Sequence, residues 1–236
     1  MNVTAQSVNA RFKALANGEI AAHSQRFFKT GKGEYGEGDK FLGIRVPVIR
    51  KEVKAFRELP LGQVSTLLKS QYHEVRLFAL LAMVERFKEG SEQDQQDIYK
   101  IYFDHMGYIN NWDLIDSSAP CIVGGYLSNK ERSILYQLAC SDSLWHRRIA
   151  IMATFYFIKD NDFGDALKIA KLLLNDREDL IHKAVGWMLR EVGNRNIGKE
   201  ESFLKQHYQQ MPRTMLRYAI EKFDQPLRRD YLEGRA

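Results

Sequence analysis

The sequence predicts an all-α protein built as a helical-repeat solenoid, a curved α-α superhelix, and three observations carry that expectation. Apolar residues recur every three or four positions in VRLFALLAMVERF (75–87), RIAIMATFYFI (148–158) and DALKIAKLLL (165–174), the spacing of a helix face. Stretches that alternate apolar and polar residues, as half-buried strands do, are nearly absent. One pattern also repeats: His146 in LWHRRIAIM and His182 in LIHKAVGWM stand 182 − 146 = 36 residues apart, and His73 in YHEVRLFAL precedes His146 by 146 − 73 = 73, about two such steps. NNWDLIDSS falls between these two, and TMLRYAIEKF comes one step beyond His182. A period of about 35–45 residues with paired helices marks stacked repeats, and without the TPR consensus spacing it fits a HEAT-like stack. Stacked pairs share one core without linkers, so residues 1–236 are expected to form a single HEAT-like solenoid domain.

Taken along the chain, the opening MNVTAQSVNARFK has no charged stretch followed by an apolar run, so no secretory signal is expected. HSQRFFK (23–29) reads as a helix, and GKGEYGEG follows it from Gly31 to Gly38. Gly31, Gly33 and Gly36 spell G-x-G-x-x-G, but no strand precedes the motif and no βαβ unit follows. The expectation is a glycine-rich loop between helices near residues 30–40. KEGSEQDQQD (88–97) reads as a solvated loop entering a helix, and DQPLRRDYLEGRA (224–236) as a segment that frays. Three of the five prolines, at positions 47, 60, 120, 212 and 226, fall where helical patterns start or stop.

Composition limits the function. Hydrophobic residues at 44% and charged residues at 28% are globular values, which exclude disorder, collagen-like repeats and membrane spans. Lys and Arg total 35 against 30 Asp and Glu, a net charge of +5 that permits a polyanionic partner without requiring one. The two cysteines, Cys121 and Cys140, form no C-x-x-C and read as small core residues. His23, His73, His105, His146, His182 and His207 show no metal-ligand spacing, with His146 and His182 taken as packing or surface residues. Neither a metal nor a cofactor is expected; a cytoplasmic protein and a monomer are.

Four residues resist a purely structural reading. On the helix through LWHRRIAIMATFYF, Arg148 falls within the apolar arc of Leu144, Trp145, Ile149, Ile151, Met152 and Phe155, where a charge needs an anion. Trp112 and Asp116 are i and i+4 in YINNWDLIDSS, and the acid there needs a cation. A buried Asp116–Arg148 pair tying two repeats together would satisfy both. Trp187, however, stands off the arc of Ile181, Val185, Met188 and Val192, between Lys183 and Arg190, as a binding aromatic would. Aligning the repeats on Asn110, His146 and His182 puts Trp112, Asp116, Arg148 and Trp187 on one side of three successive helices, in a cleft with basic flanks.

FLGIRVP (41–47), HEVR (73–76), NWDLIDSSAP (111–120), LWHRRIAI (144–151), HKAVGWMLRE (182–191) and MLRYAIEKF (215–223) resemble, in order, the AlkD family of bacterial DNA alkylation repair glycosylases. The resemblance runs from about residue 10 to residue 225, and W-D-x-x-D with G-W-x-L-R-E is its most specific part. It implies a HEAT-like solenoid cradling double-stranded DNA and removing cationic N3- or N7-alkylated purines, with the lesion left stacked. It further implies Asp116 as catalytic carboxylate, Trp112 and Trp187 as its aromatic partners, and Arg148 as a backbone contact near the lesion. Where the family commonly has a tyrosine this sequence offers Phe27, and the glycine loop behind it is longer.

These residue types suit that chemistry. A cationic alkylpurine is already a good leaving group, so no general acid is needed. Its departure leaves an oxocarbenium-like sugar that a carboxylate stabilises while orienting water. Tryptophan faces attract cations. Arg76, Arg148, Lys183, Arg190 and Arg217 are expected to neutralise phosphates, with Phe27 on the same DNA-facing side. The alternative is a non-catalytic HEAT-like scaffold that binds nucleic acid or protein, with Asp116–Arg148 as a structural pair.

Overall fold

The computed structural model describes residues 3–236 and forms two compact units, Met1–Ser118 and Ala119–Ala236. Among the described residues there are fourteen α-helices and no strand. The first unit holds α1 (Ala5–Ala14), α2 (Gly18–Phe27), α3 (Val46–Ala55), α4 (Leu61–Leu67), α5 (His73–Glu89), α6 (Glu92–Asp104) and α7 (Trp112–Asp116). The second opens on a π-helical turn (Pro120–Gly124). It continues through α8 (Ser133–Ala139), α9 (Leu144–Lys159), α10 (Gly164–Leu172), α11 (Asp179–Gly193), α12 (Ile197–His207), α13 (Arg213–Ala219) and α14 (Gln225–Glu233). The five repeat helices foreseen in the sequence are α5, α7, α9, α11 and α13, beginning at residues 73, 112, 144, 179 and 213.

Local chemistry sets the helix starts. Asn17, Ser143, Asn196 and Asp224 accept backbone N–H groups at the heads of α2, α9, α12 and α14. Thr4 with Ser7, and Ser91 with Asp94, form reciprocal caps at α1 and α6, each such cap contributing about 1 kcal/mol. Ser91 thus makes the acidic 88–97 stretch the solvated entry to α6 that its sequence suggests.

In the first unit α5 is buried nearly all round, and α3, α4, α6 and α7 all pack against it. In the second, α9 and α11 pack on each other, α8 and α10 lie against α9, and α12 and α13 against α11. Gly186 lets α11 and α13 approach closely, since a Cβ there would lie 2.4 Å from the Met215 carbonyl oxygen. The C-terminal segment does not fray as its polar sequence suggests. α14 anchors it through buried Tyr231, whose ring meets those of Tyr208 and Phe223 at 5.3 and 5.7 Å. No helix among the described residues is long and apolar enough to cross a membrane.

Candidate active site

α7 is a single turn, and what it presents follows from what it buries. Asn111 caps it, its side chain accepting the Trp112 N–H at 2.8 Å. Leu114 and Ile115 face the core. Trp112 and Asp116 are therefore left half-exposed on the other side, with Asp116 one turn beyond Trp112.

Trp112 is held from three directions within this unit. Phe28 stacks on it with centroids 5.3 Å apart, and Phe27 meets it edge-on at 6.0 Å. Its indole N–H donates to the Tyr35 hydroxyl at 3.3 Å. Phe27 is also 58% exposed, an aromatic ring open to solvent beside the indole. The phenol that Phe27 lacks is thus brought to Trp112 by Tyr35, from the glycine-rich stretch. That stretch is a loop between α2 and α3, as foreseen. Glu34 and Glu37 accept the N–H groups of Gly31 and Gly33, and the Gly36 N–H donates back to the Lys29 carbonyl at 3.0 Å. Gly36 is required there, because a Cβ would sit 2.4 Å from the Phe28 carbonyl oxygen.

The same loop delivers Asp39 to a buried charge cluster that sequence reading missed. His73 Nδ1 lies 2.9 Å from Asp39 Oδ2, and its Nε2 lies 2.8 Å from Asp113 Oδ2. Arg76 donates to Asp39 Oδ1 at 2.5 Å, to the Ser70 carbonyl and to the Asn110 side chain. Burial lowers the His73 pKa, but Asp113 and Asp39 outweigh it and push it up to about 9. Burial raises Asp39, yet His73 and Arg76 hold its carboxyl below the usual range. Arg76, expected at a phosphate, is instead 4% exposed inside this cluster, because Asp39 supplies its anion. Beside the cluster, α2, α3 and α5 frame an open cleft of about 840 Å³, with His73, Asp113, Phe28 and Phe41 on its wall.

In the second unit Trp187 is half-buried against Phe155, with centroids 6.1 Å apart, and its N–H donates to Glu191 at 3.1 Å. Lys159 lies over the Phe155 ring at 4.5 Å, so Trp187 belongs to a basic aromatic cluster. Arg190 is ion-paired with Glu221, and Lys183 with Asp179 at 2.7 Å. Arg217 is exposed and, with Thr214, Tyr218, Glu221 and Arg228, lines an open depression of about 440 Å³. Arg148 is 4% exposed and donates to the Leu180 carbonyl at the head of α11 at 2.5 Å. Arg147 grips Asp176 through two nitrogens, at 2.6 and 3.3 Å. His146 and His182 make local bonds to the Ser141 hydroxyl and the Asp176 carbonyl, as packing residues do.

Fold and site define an all-α protein that presents a tryptophan and a carboxylate from one short helix and carries a second, basic aromatic cluster. The chain belongs to the DNA alkylation repair enzyme family, whose profile matches residues 8–223. A solved structure described as a predicted DNA alkylation repair enzyme from Enterococcus faecalis is similar in fold, with a TM-score of 0.68 at 17% identity. The match covers 89% of this chain and 97% of that one. No curated protein matches the chain.

Proposed function

We propose that this protein is a DNA glycosylase of base-excision repair that hydrolyses the N-glycosidic bond of cationic N3- or N7-alkylated purines in duplex DNA. The observation that carries the reading is α7: a braced indole and a half-exposed carboxylate one turn apart, in a chain of this repair family. As the C1′–N bond breaks, its electron pair neutralises the cationic purine. Asp116 stabilises the oxocarbenium-like sugar left behind. Water then attacks C1′ and loses its proton to the same carboxylate, which leaves an abasic site and the free base.

Trp112 and Phe27 supply π faces for the cationic lesion and its sugar, and Trp187 is the aromatic contact of the second unit. Arg217, Lys183 and Arg190 are assigned to phosphates. Arg148, being buried, serves by holding the head of α11, and through it Trp187. The helix pairs of the second unit, each packed on the next, support a HEAT-like repeat architecture.

The burial of Arg148 also favours the rival reading, a non-catalytic scaffold in which that arginine is structural. Incubation with methylated duplex DNA decides between them. The glycosylase releases 3-methyladenine or 7-methylguanine and leaves abasic sites; release no faster than in protein-free DNA leaves the scaffold.

A further inference from the structure

α7 has five residues and a single turn, too short to fix its own orientation. What holds it is a clamp on its second residue, Asp113, whose Oδ2 lies 2.8 Å from His73 Nε2. The other ring nitrogen of His73 is engaged by Asp39 at 2.9 Å, so the imidazole bridges two carboxylates from different parts of the chain. Two rings also lie against it: Phe41 stacks on it at 4.6 Å and Phe28 lies tilted against it at 5.0 Å, and Phe28 in turn stacks on Trp112. Asp113 therefore ties the α7 backbone to His73, and Phe28 ties the α7 indole to the same ring.

The charges close as well. Two carboxylates, one imidazolium and the Arg76 guanidinium sum to zero inside the protein. Once the imidazole is neutral, the Asp113 carboxylate stands uncompensated one turn before Asp116.

We propose that His73 is a positioning residue for the reaction: clamped between Asp39 and Asp113, it fixes the rotation of α7 about its axis and so sets where Asp116 and Trp112 stand. The inference rests on the reading of Asp116 as the catalytic carboxylate. The charged groups facing His73 are Asp39 from the glycine loop, Asp113 from α7, and Arg76 and Glu74 from α5. Glu19, His23 and Arg45 share the adjoining cleft. Glu74 is already engaged by the backbone N–H groups of Leu42, Gly43 and Ile44. The clamp consequently depends on the protonation of one ring, which the paired carboxylates sustain well past neutrality.

The experiment is single-turnover release of 7-methylguanine from methylated duplex DNA between pH 6 and 9.5, with DNA affinity measured alongside. It compares wild type, His73→Gln and Asp113→Asn. His73→Gln is expected to lose on the order of 10²-fold in rate at unchanged affinity, the effect of a misplaced catalytic group. Asp113→Asn keeps an acceptor for the imidazole N–H but removes its charge, so the alkaline fall in rate moves to lower pH than in wild type. Should His73→Gln fail to fold, that shift decides alone. An Asp113→Asn profile superimposable on that of wild type, with wild type active, overturns the positioning role and leaves the glycosylase standing. A wild type that releases no base above the protein-free control removes the glycosylase, and the positioning role with it.

Discussion

Replacing His73 with glutamine removes the central cation of the buried cluster, and the consequence for stability is set by pH. The imidazole has its ordinary pKa of 6.5 in the unfolded chain and about 9 in the folded one, a rise of 9 − 6.5 = 2.5 units. At about 1.4 kcal/mol per unit, the charged ring contributes roughly 3 kcal/mol to folding. Because the folded pKa is the higher, that contribution is complete below pH 6.5, where both states are protonated. Between 6.5 and 9 the unfolded chain releases its proton while the folded protein keeps it, so stability falls as pH rises, and above 9 the contribution is gone. Urea unfolding of wild type and His73→Gln across pH 6–9.5 gives the difference directly, since titrations common to both cancel. It should shrink by roughly 3 kcal/mol over that window. A difference that stays constant with pH would refute a charged, carboxylate-clamped His73.

Glu200 gives a second pH signature, in the other unit. It is 2% exposed, and burial pushes its pKa up from 4.5 to about 8, against a smaller opposing pull from Arg190. Wild type therefore loses stability as pH rises from 4.5 towards 8, and Glu200→Gln should be more stable than wild type at pH 7 by on the order of 3 kcal/mol, but not at pH 4.5. Thermal melts at the two pH values check this; equal gains at both would mean that burial does not raise the Glu200 pKa. Arg217→Ala should weaken DNA binding evenly across sequences and reduce the slope of log K against log[salt] by about 1. Fluorescence-anisotropy titrations at several salt concentrations test it, and an unchanged slope takes Arg217 off the phosphate backbone.

Periodicity made the longer helices legible because each carries its own apolar signal. α5, α9 and α10 could be placed from the apolar spacing of VRLFALLAMVERF, RIAIMATFYFI and DALKIAKLLL alone, and α11 from the recurrence of the His146 pattern at His182. The Trp112–Asp116 pair was equally local, two residues one turn apart. What stayed hidden was long-range. His73 showed only its place in the repeat, because its partners lie 34 and 40 residues away, in a loop and in a different helix. Tyr35 gave no sign that it meets Trp112, since only the folded loop, closed at Gly36, brings it there. Arg76 looked like a phosphate ligand because its anion, Asp39, belongs to that same loop. The one available hint was Asp39 in DKFLG, ahead of a helix that opens on His73, Glu74 and Arg76 before running apolar from Leu77 to Val84.

The glycine loop also takes on a meaning that its motif concealed. G-x-G-x-x-G suggests phosphate binding, yet here the backbone N–H groups of Gly31 and Gly33 are taken by Glu34 and Glu37 of the loop itself. The loop's part is to carry Tyr35 to the indole and Asp39 to the imidazole, the two groups that steady α7 from outside.

In the proposed function the Asp116 carboxylate of α7 performs the hydrolysis. Its most direct test is single-turnover excision from methylated duplex DNA by wild type and Asp116→Asn, with a melting curve for each. The expected result is a folded variant whose rate falls by on the order of 10²–10³-fold, the usual effect of removing a group that stabilises transition-state charge. A variant that melts like wild type and still releases alkylpurines at the wild-type rate would contradict it.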